Sequence, residues 1–130
     1  MKEPNWLSRA LVLAIHDEMI AVFGGNGDLR DSDRLDSALD RPRNLFTYGN
    51  APMLFDLAAV LCHGLAKNHP FLDGNKRTAL LAARAFLFLN GYAFEPHEVD
   101  EVEMIVGVAD GSIDQEVLTQ WFKRFSRKRK

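Results

Sequence analysis

The stretch Asn75-Lys76-Arg77-Thr78-Ala79-Leu80-Leu81-Ala82-Ala83-Arg84-Ala85-Phe86-Leu87-Phe88-Leu89-Asn90 decides the fold. Its middle, Ala79 to Ala83 and Ala85 to Leu89, is apolar nearly all round, and a helix of that kind belongs at the centre of a domain. Gly91 closes it, as glycine commonly does at a helix C-terminus. Elsewhere apolar residues recur every three or four positions and strand-like alternation is almost missing. The expectation is an all-α fold.

Upstream, Pro52 suits the first position of a helix that continues through Leu54, Leu57, Ala58, Leu61 and Leu65 to about Asn68. Pro70 ends it and should hold His69 extended. A first helix is expected from about Asn5 to Phe23, with Leu7, Leu11, Ile15, Met19 and Ile20 along one side. Gly24, Gly25 and Gly27 stop it, and with no strand before them they do not read as a phosphate loop. A short helix from Ser32 to Asp40 should halt at Pro42. Arg43 to Ala51 lacks a helical period and reads as a loop, flap or small hairpin before the central helices.

Downstream, Tyr92 to Pro96 reads as an extended connector and Glu98 to Ala109 as a helix ending at Asp110-Gly111. Ser112 with Gln115 forms a capping-box pattern for the last helix, through Val117, Leu118, Trp121 and Phe122. The expected architecture is a compact bundle of about six helices, one domain over residues 1–130 with a basic C-terminal tail at 123–130. At 130 residues and 47% hydrophobic content, such a domain buries somewhat over about 60% of its unfolded surface.

Charge is uneven. Six of the 16 Lys and Arg fall in the acid-free stretch Lys123 to Lys130, so the rest of the chain carries −8 against an overall −2. A basic run at a terminus most often reads as a solvated, frayed end. No apolar run is long enough to span a bilayer and no secretory leader is evident, so membrane partners are not expected and the cytoplasm is the expected location. Cys62 sits among Val60, Leu61 and Leu65 and reads as a buried small hydrophobe. P-loop, Rossmann, zincin and zinc-ligand spacings are absent from the sequence.

The chemistry concentrates in His69-Pro70-Phe71-Leu72-Asp73-Gly74-Asn75-Lys76-Arg77. This segment leads into the amino end of the apolar helix, where free N–H groups and the helix dipole favour an anion. Gly74 lets the backbone turn close to a ligand, and Asn75 either holds the turn or donates to a phosphate oxygen. Lys76 and Arg77 add cations, and Arg can grip two oxygens. A lone carboxylate, Asp73, repels polyphosphate unless a magnesium ion bridges the two. An imidazole can take a proton from an attacking hydroxyl, which makes His69 the candidate general base. Phe71 is a packing anchor. Singly, Asp73 is also readable as a helix cap, Gly74 as a plain turn and the cations as surface charges. Nine such residues together favour a site.

This segment resembles the signature of the Fic/Doc superfamily, His-x-Phe-x-Asp/Asn-Gly-Asn followed by basic residues. In Fic enzymes that transfer AMP the pattern continues with Gly-Arg and a second Arg three positions later. Lys76 and Leu80 stand at those glycine and second-arginine positions here, and both departures resemble the Doc (death on curing) branch. Ile15 to Ile20 with Gly24-Gly25, Arg77 to Leu80, and Gly91 also resemble that branch, and Arg43 to Ala51 would correspond to its target-docking flap.

The resemblance implies the toxin of a type II toxin–antitoxin system, a protein kinase that uses ATP and Mg2+ in a reversed orientation to phosphorylate a threonine of elongation factor Tu and block translation. His69, Asp73, Lys76 and Arg77 would be catalytic. Gly74, Asn75, Lys76 and Arg77 would bind the nucleotide, and Asp73 the metal. It further implies neutralisation by an antitoxin with a disordered, Phd-like tail. Nucleic acid is not an expected partner of the toxin alone. Two other functions are weighed: AMP transfer to a protein hydroxyl, against which Lys76 and Leu80 count, and a non-enzymatic binding module using the basic tail. His16, Asp17 and Glu18 are consecutive and cannot share one ion on a helix. His63 reads as packing, His97 as a helix-start residue, and Arg84 as a second cation or a partner for an acid.

Overall fold

The helix-forming segments are set by their caps, and the first differs from the sequence expectation. Ser8, rather than Asn5, opens α1: its hydroxyl accepts from the Leu11 N–H at 3.1 Å, and the helix runs Arg9–Phe23. The computed structural model describes residues 1–129. After α1 come α2 (Ser32–Tyr48), α3 (Leu54–Asn68), α4 (Asn75–Leu89), a short strand β1 (Tyr92–Phe94), α5 (Glu98–Asp110), α6 (Gln115–Phe125) and a second strand β2 (Ser126–Lys128). Over the described residues the fold is all-α, six helices around one continuous apolar core.

The centre is shared by α3 and α4. Leu57 to Cys62 and Gly64 to Ala66 are buried along nearly the whole circumference of α3, which packs against α2, α4, α5 and α6. The apolar run of α4 is buried at Ala79, Leu80, Ala82, Ala83, Phe86 and Leu87, whereas Phe88 and Leu89 at its end are exposed. Cys62 is fully buried, and desolvation pushes its thiol up to about 12. The folded protein should therefore leave this thiol unmodified by a disulfide reagent at pH 8. Full modification on adding denaturant is the expected contrast, read as released chromophore.

Pro42 does not end α2 as expected. The helix continues to Tyr48 with Pro42 inside it, and no flap or hairpin occupies residues 43–48. Interior proline costs about 3 kcal/mol. That cost is offset by burial: Pro42 itself is buried, and Leu45 and Phe46 pack against the core, Phe46 edge-on to Trp6 at 5.8 Å. Gly49 to Met53 form the connection into α3, which begins at Leu54 and not at Pro52. Two further expectations are corrected. His69 is not extended but left-handed, with φ 49° and ψ 58°. The last helix is capped by Asp114, whose carboxylate accepts from Val117 N–H at 2.9 Å, while Ser112 instead closes the end of α5 through Asp110 and Gly107.

The basic tail is not frayed over the described residues. Ser126–Lys128 pairs antiparallel with Tyr92–Phe94, and Arg127 meets Glu95 at 2.7 Å. Arg129 donates from its backbone to Gly91 O at 2.7 Å and from its guanidinium to Phe88 O, and covers the Phe88 ring at 4.0 Å. A cation at a helix C-terminus also complements the dipole of α4. Lys130 lies outside the described residues. Deleting residues 126–130 should lower stability by about 1–3 kcal/mol, since several partly exposed hydrogen bonds go together. A urea melt of the shortened chain checks this. Cutting before Lys123 would also remove the last turn of α6, so it cannot isolate a binding role for the tail.

Candidate active site

The loop between α3 and α4 is fixed by the chain that follows α1. Pro70 O accepts from Arg30 N–H at 2.7 Å and from Asp31 N–H at 3.0 Å, Leu72 N–H donates to Asp28 O at 3.2 Å, and Leu29 bridges Phe71. The glycines that stop α1 have a second consequence. Gly25 holds φ 114°, and a Cβ there would lie 3.0 Å from the Cβ of Asp73, so the backbone approaches Asp73 closely. The next N–H, of Asn26, donates to Asp73 Oδ2 at 2.7 Å.

Inside the loop, two buried side chains hold the turn. Asn75 is 8% exposed; its amide oxygen accepts from Phe71 N–H at 3.0 Å and its amide nitrogen donates to Phe71 O at 2.8 Å. Of the two roles open to Asn75, its side chain takes the turn-holding one. Phe71 is 1% exposed, and its ring stacks on His16 at 3.7 Å with 8° between planes. Gly74 then carries φ 83°, with the His16 ring 3.4 Å from where a Cβ would stand. Few residues other than glycine adopt that conformation without strain.

These constraints aim the amino end of α4 outward. Thr78 N–H returns to Gly74 O at 3.0 Å, and no side chain among the described residues caps the N–H groups before it. Asn75, Lys76 and Arg77 therefore present free N–H groups and the positive end of the dipole. Gly74, Lys76 and Arg77 line a cleft of about 200 Å³ whose far wall is Val102, Ile105 and Val106 of α5. The Arg77 guanidinium lies over the Phe23 ring at 4.2 Å, and neither Arg77 nor Lys76 has a carboxylate partner among the described residues. His69 is exposed at the other end of the same loop in its left-handed conformation. Asp73, also exposed, keeps one carboxylate oxygen unused by Asn26. A larger cleft of about 610 Å³ lies at the opposite end of α4, beside Leu89 and Asn90, and none of His69, Asp73, Lys76 and Arg77 lines it.

The remaining candidates fall outside this cluster. Arg84 pairs with Glu101 at 3.1 Å and lies over Phe94. His97 precedes α5 and packs edge-on to Phe125. On α3, His63 is half-buried, and desolvation, with Arg41 and Lys67, lowers its pKa. Asp17 and Glu18 are exposed, and no cluster of three or more metal-ligating side chains occurs among the described residues. His16 is the residue that sequence reasoning underrated. It is 1% exposed, with Nε2 2.7 Å from Asp73 O. The available signal was its spacing of four from Val12, the other buried residue of α1.

Comparison with known proteins identifies the family. The Fic/DOC family model matches residues 6–87. "Toxin Doc" of Mycolicibacterium smegmatis is 47% identical over 71 residues, covering 54% of this chain and 55% of the relative's length. "Protein kinase doc" of Escherichia phage P1 is 32% identical over 114 residues, 87% of this chain and 89% of the relative. With most of its length matched, and with the His69 to Arg77 loop inside the matched region, the chain belongs to the Fic/DOC family.

Proposed function

We propose that the chain is the toxin of a toxin–antitoxin pair, a single-domain Doc-type protein kinase that moves the terminal phosphate of ATP to a threonine hydroxyl of elongation factor Tu in the cytoplasm and so blocks translation. The observation that carries this reading is the mouth of α4, where an uncapped helix N-terminus, two unpaired cations and a half-used carboxylate share one loop with an exposed imidazole. The relatives named as a toxin and a protein kinase support it.

In this reading His69 takes the proton of the attacking hydroxyl. The N–H groups of Asn75, Lys76 and Arg77, with both cationic side chains, hold phosphate oxygens as negative charge spreads over them in the transition state. At about 200 Å³ the cleft is smaller than most whole-ligand pockets, so it suits the phosphate chain, with the nucleoside along the open face. Asp73 fits magnesium: one oxygen is fixed by Asn26 and the other is free, and this ion is commonly held by one or two carboxylates plus phosphates and water. A bound magnesium ion would neutralise charge between that carboxylate and the phosphate chain. Val99, Val102 and Val106 form an exposed apolar stripe on α5 that reaches the cleft. That stripe suits the apolar face of an antitoxin tail that folds on binding.

ATP labelled at either its terminal or its α-phosphate, incubated with the protein and elongation factor Tu, tests the reading. Terminal label on a target threonine is the expected result. Label from the α-phosphate would replace it with AMP transfer, and no label on this target would remove elongation factor Tu from the proposal.

A further inference from the structure

We infer that His16 is a positioning residue for the reaction, acting through the backbone of Asp73; this rests on the reading of Asp73 as the metal-holding carboxylate. His16 lies in α1, outside the loop that carries the chemistry, yet it touches that loop at three points. Its Nε2 is 2.7 Å from Asp73 O, its ring stacks on Phe71, and its edge faces Gly74. A carbonyl only accepts, so Nε2 carries the hydrogen and donates.

Asp73 is thereby held at both ends. Its carbonyl accepts from His16, and its side chain accepts from Asn26 N–H at 2.7 Å. Both donors come from α1 and the turn after it, so the two bonds fix the peptide and the carboxylate against one rigid element. The bond is part-buried, and a carbonyl shielded from water that loses its donor costs more than the bond contributes. Losing the His16 donor should therefore turn the Asp73 peptide toward another donor, displacing the carboxylate from Asn26 and the Gly74 turn from its place before α4. Supporting hydrogen bonds of this kind orient groups that bind metal or substrate, and misplacement by about 1 Å is enough to slow a reaction about 10²-fold.

Two variants separate the donor from the ring. His16→Phe keeps an aromatic ring against Phe71 and loses the donor, while His16→Gln offers an amide N–H near the position of Nε2 without the ring. Amide hydrogen exchange of the free protein is the first readout, because it requires no substrate. Exchange at Asn26 should rise about tenfold or more in His16→Phe, the ratio that follows from losing one hydrogen bond, and should stay near the wild-type rate in His16→Gln. Amides in the middle of α1 should keep their protection in both. The second readout is kinetic: His16→Phe should lower kcat with KM for the protein target unchanged, and His16→Gln should restore most of it. Wild-type exchange at Asn26 in His16→Phe would overturn the proposal, as would equal losses in both variants accompanied by loss of α1 protection, which would mark a merely structural role. If elongation factor Tu is not the target, the exchange result still decides the question for His16.

Discussion

Replacing His69 with asparagine should slow phosphoryl transfer by about 10²- to 10⁴-fold, the contribution expected of a positioned general base, while KM for the target and thermal stability stay near wild type. Asparagine is the informative substitute because His69 sits at φ 49°. Asparagine tolerates the left-handed region better than alanine does, through local hydrogen bonds of its short side chain. The backbone turn into Pro70 is then kept and only the base is lost. His69 is exposed and lies outside the core, so its removal opens no cavity. Initial rates at saturating Mg-ATP, with a thermal melt of the same preparation, check both halves. A rate within threefold of wild type would remove His69 from the chemistry.

Phe71→Ala should cost about 3–5 kcal/mol, the usual range for deleting a buried aromatic ring. Against a total stability of about 5–15 kcal/mol for a domain of this kind, this removes a third or more of it over most of that range. The reason lies in what the ring organises. Phe71 is 1% exposed and stacks on buried His16, and its backbone N–H and carbonyl are both held by Asn75. Removing the ring leaves a cavity beside His16 and loosens the backbone that Asn75 grips. A urea titration should show the midpoint falling while the slope is unchanged. A loss below about 1 kcal/mol would mean that the loop is held chiefly by its backbone bonds to residues 28–31.

The helices and the loop were readable because each has a local cause. The apolar run of α4, the glycines after α1 and the His69 to Arg77 segment all signal themselves within a few residues. The structure departs from local preference where tertiary burial outweighs it. Pro42 has the propensity to end a helix, and α2 passes through it because Pro42, Leu45 and Phe46 find places in or against the core. His69 before Pro70 favours extended backbone, and the bonds from Arg30 and Asp31 to Pro70 O hold the following loop in a turn that begins left-handed. The tail reads as solvated charge, yet Arg129 finds the carbonyl and ring of Phe88, and Ser126 to Lys128 find the edge of Tyr92 to Phe94. Both contacts join segments about 30 to 40 residues apart, and no local pattern announces them. His16 was legible only as a polar residue on a helix; its partners, Phe71 and Asp73, lie 55 and 57 positions away.

The loop from His69 to Arg77 is proposed to transfer phosphate to a protein hydroxyl. Incubating elongation factor Tu with Mg-ATP and either the protein or its His69→Asn variant, then recording intact masses of the target, tests it most directly. A phosphoryl-sized increase that is lost in the variant is the predicted result. An adenylyl-sized increase, or a phosphoryl-sized one that persists undiminished in the variant, would contradict it.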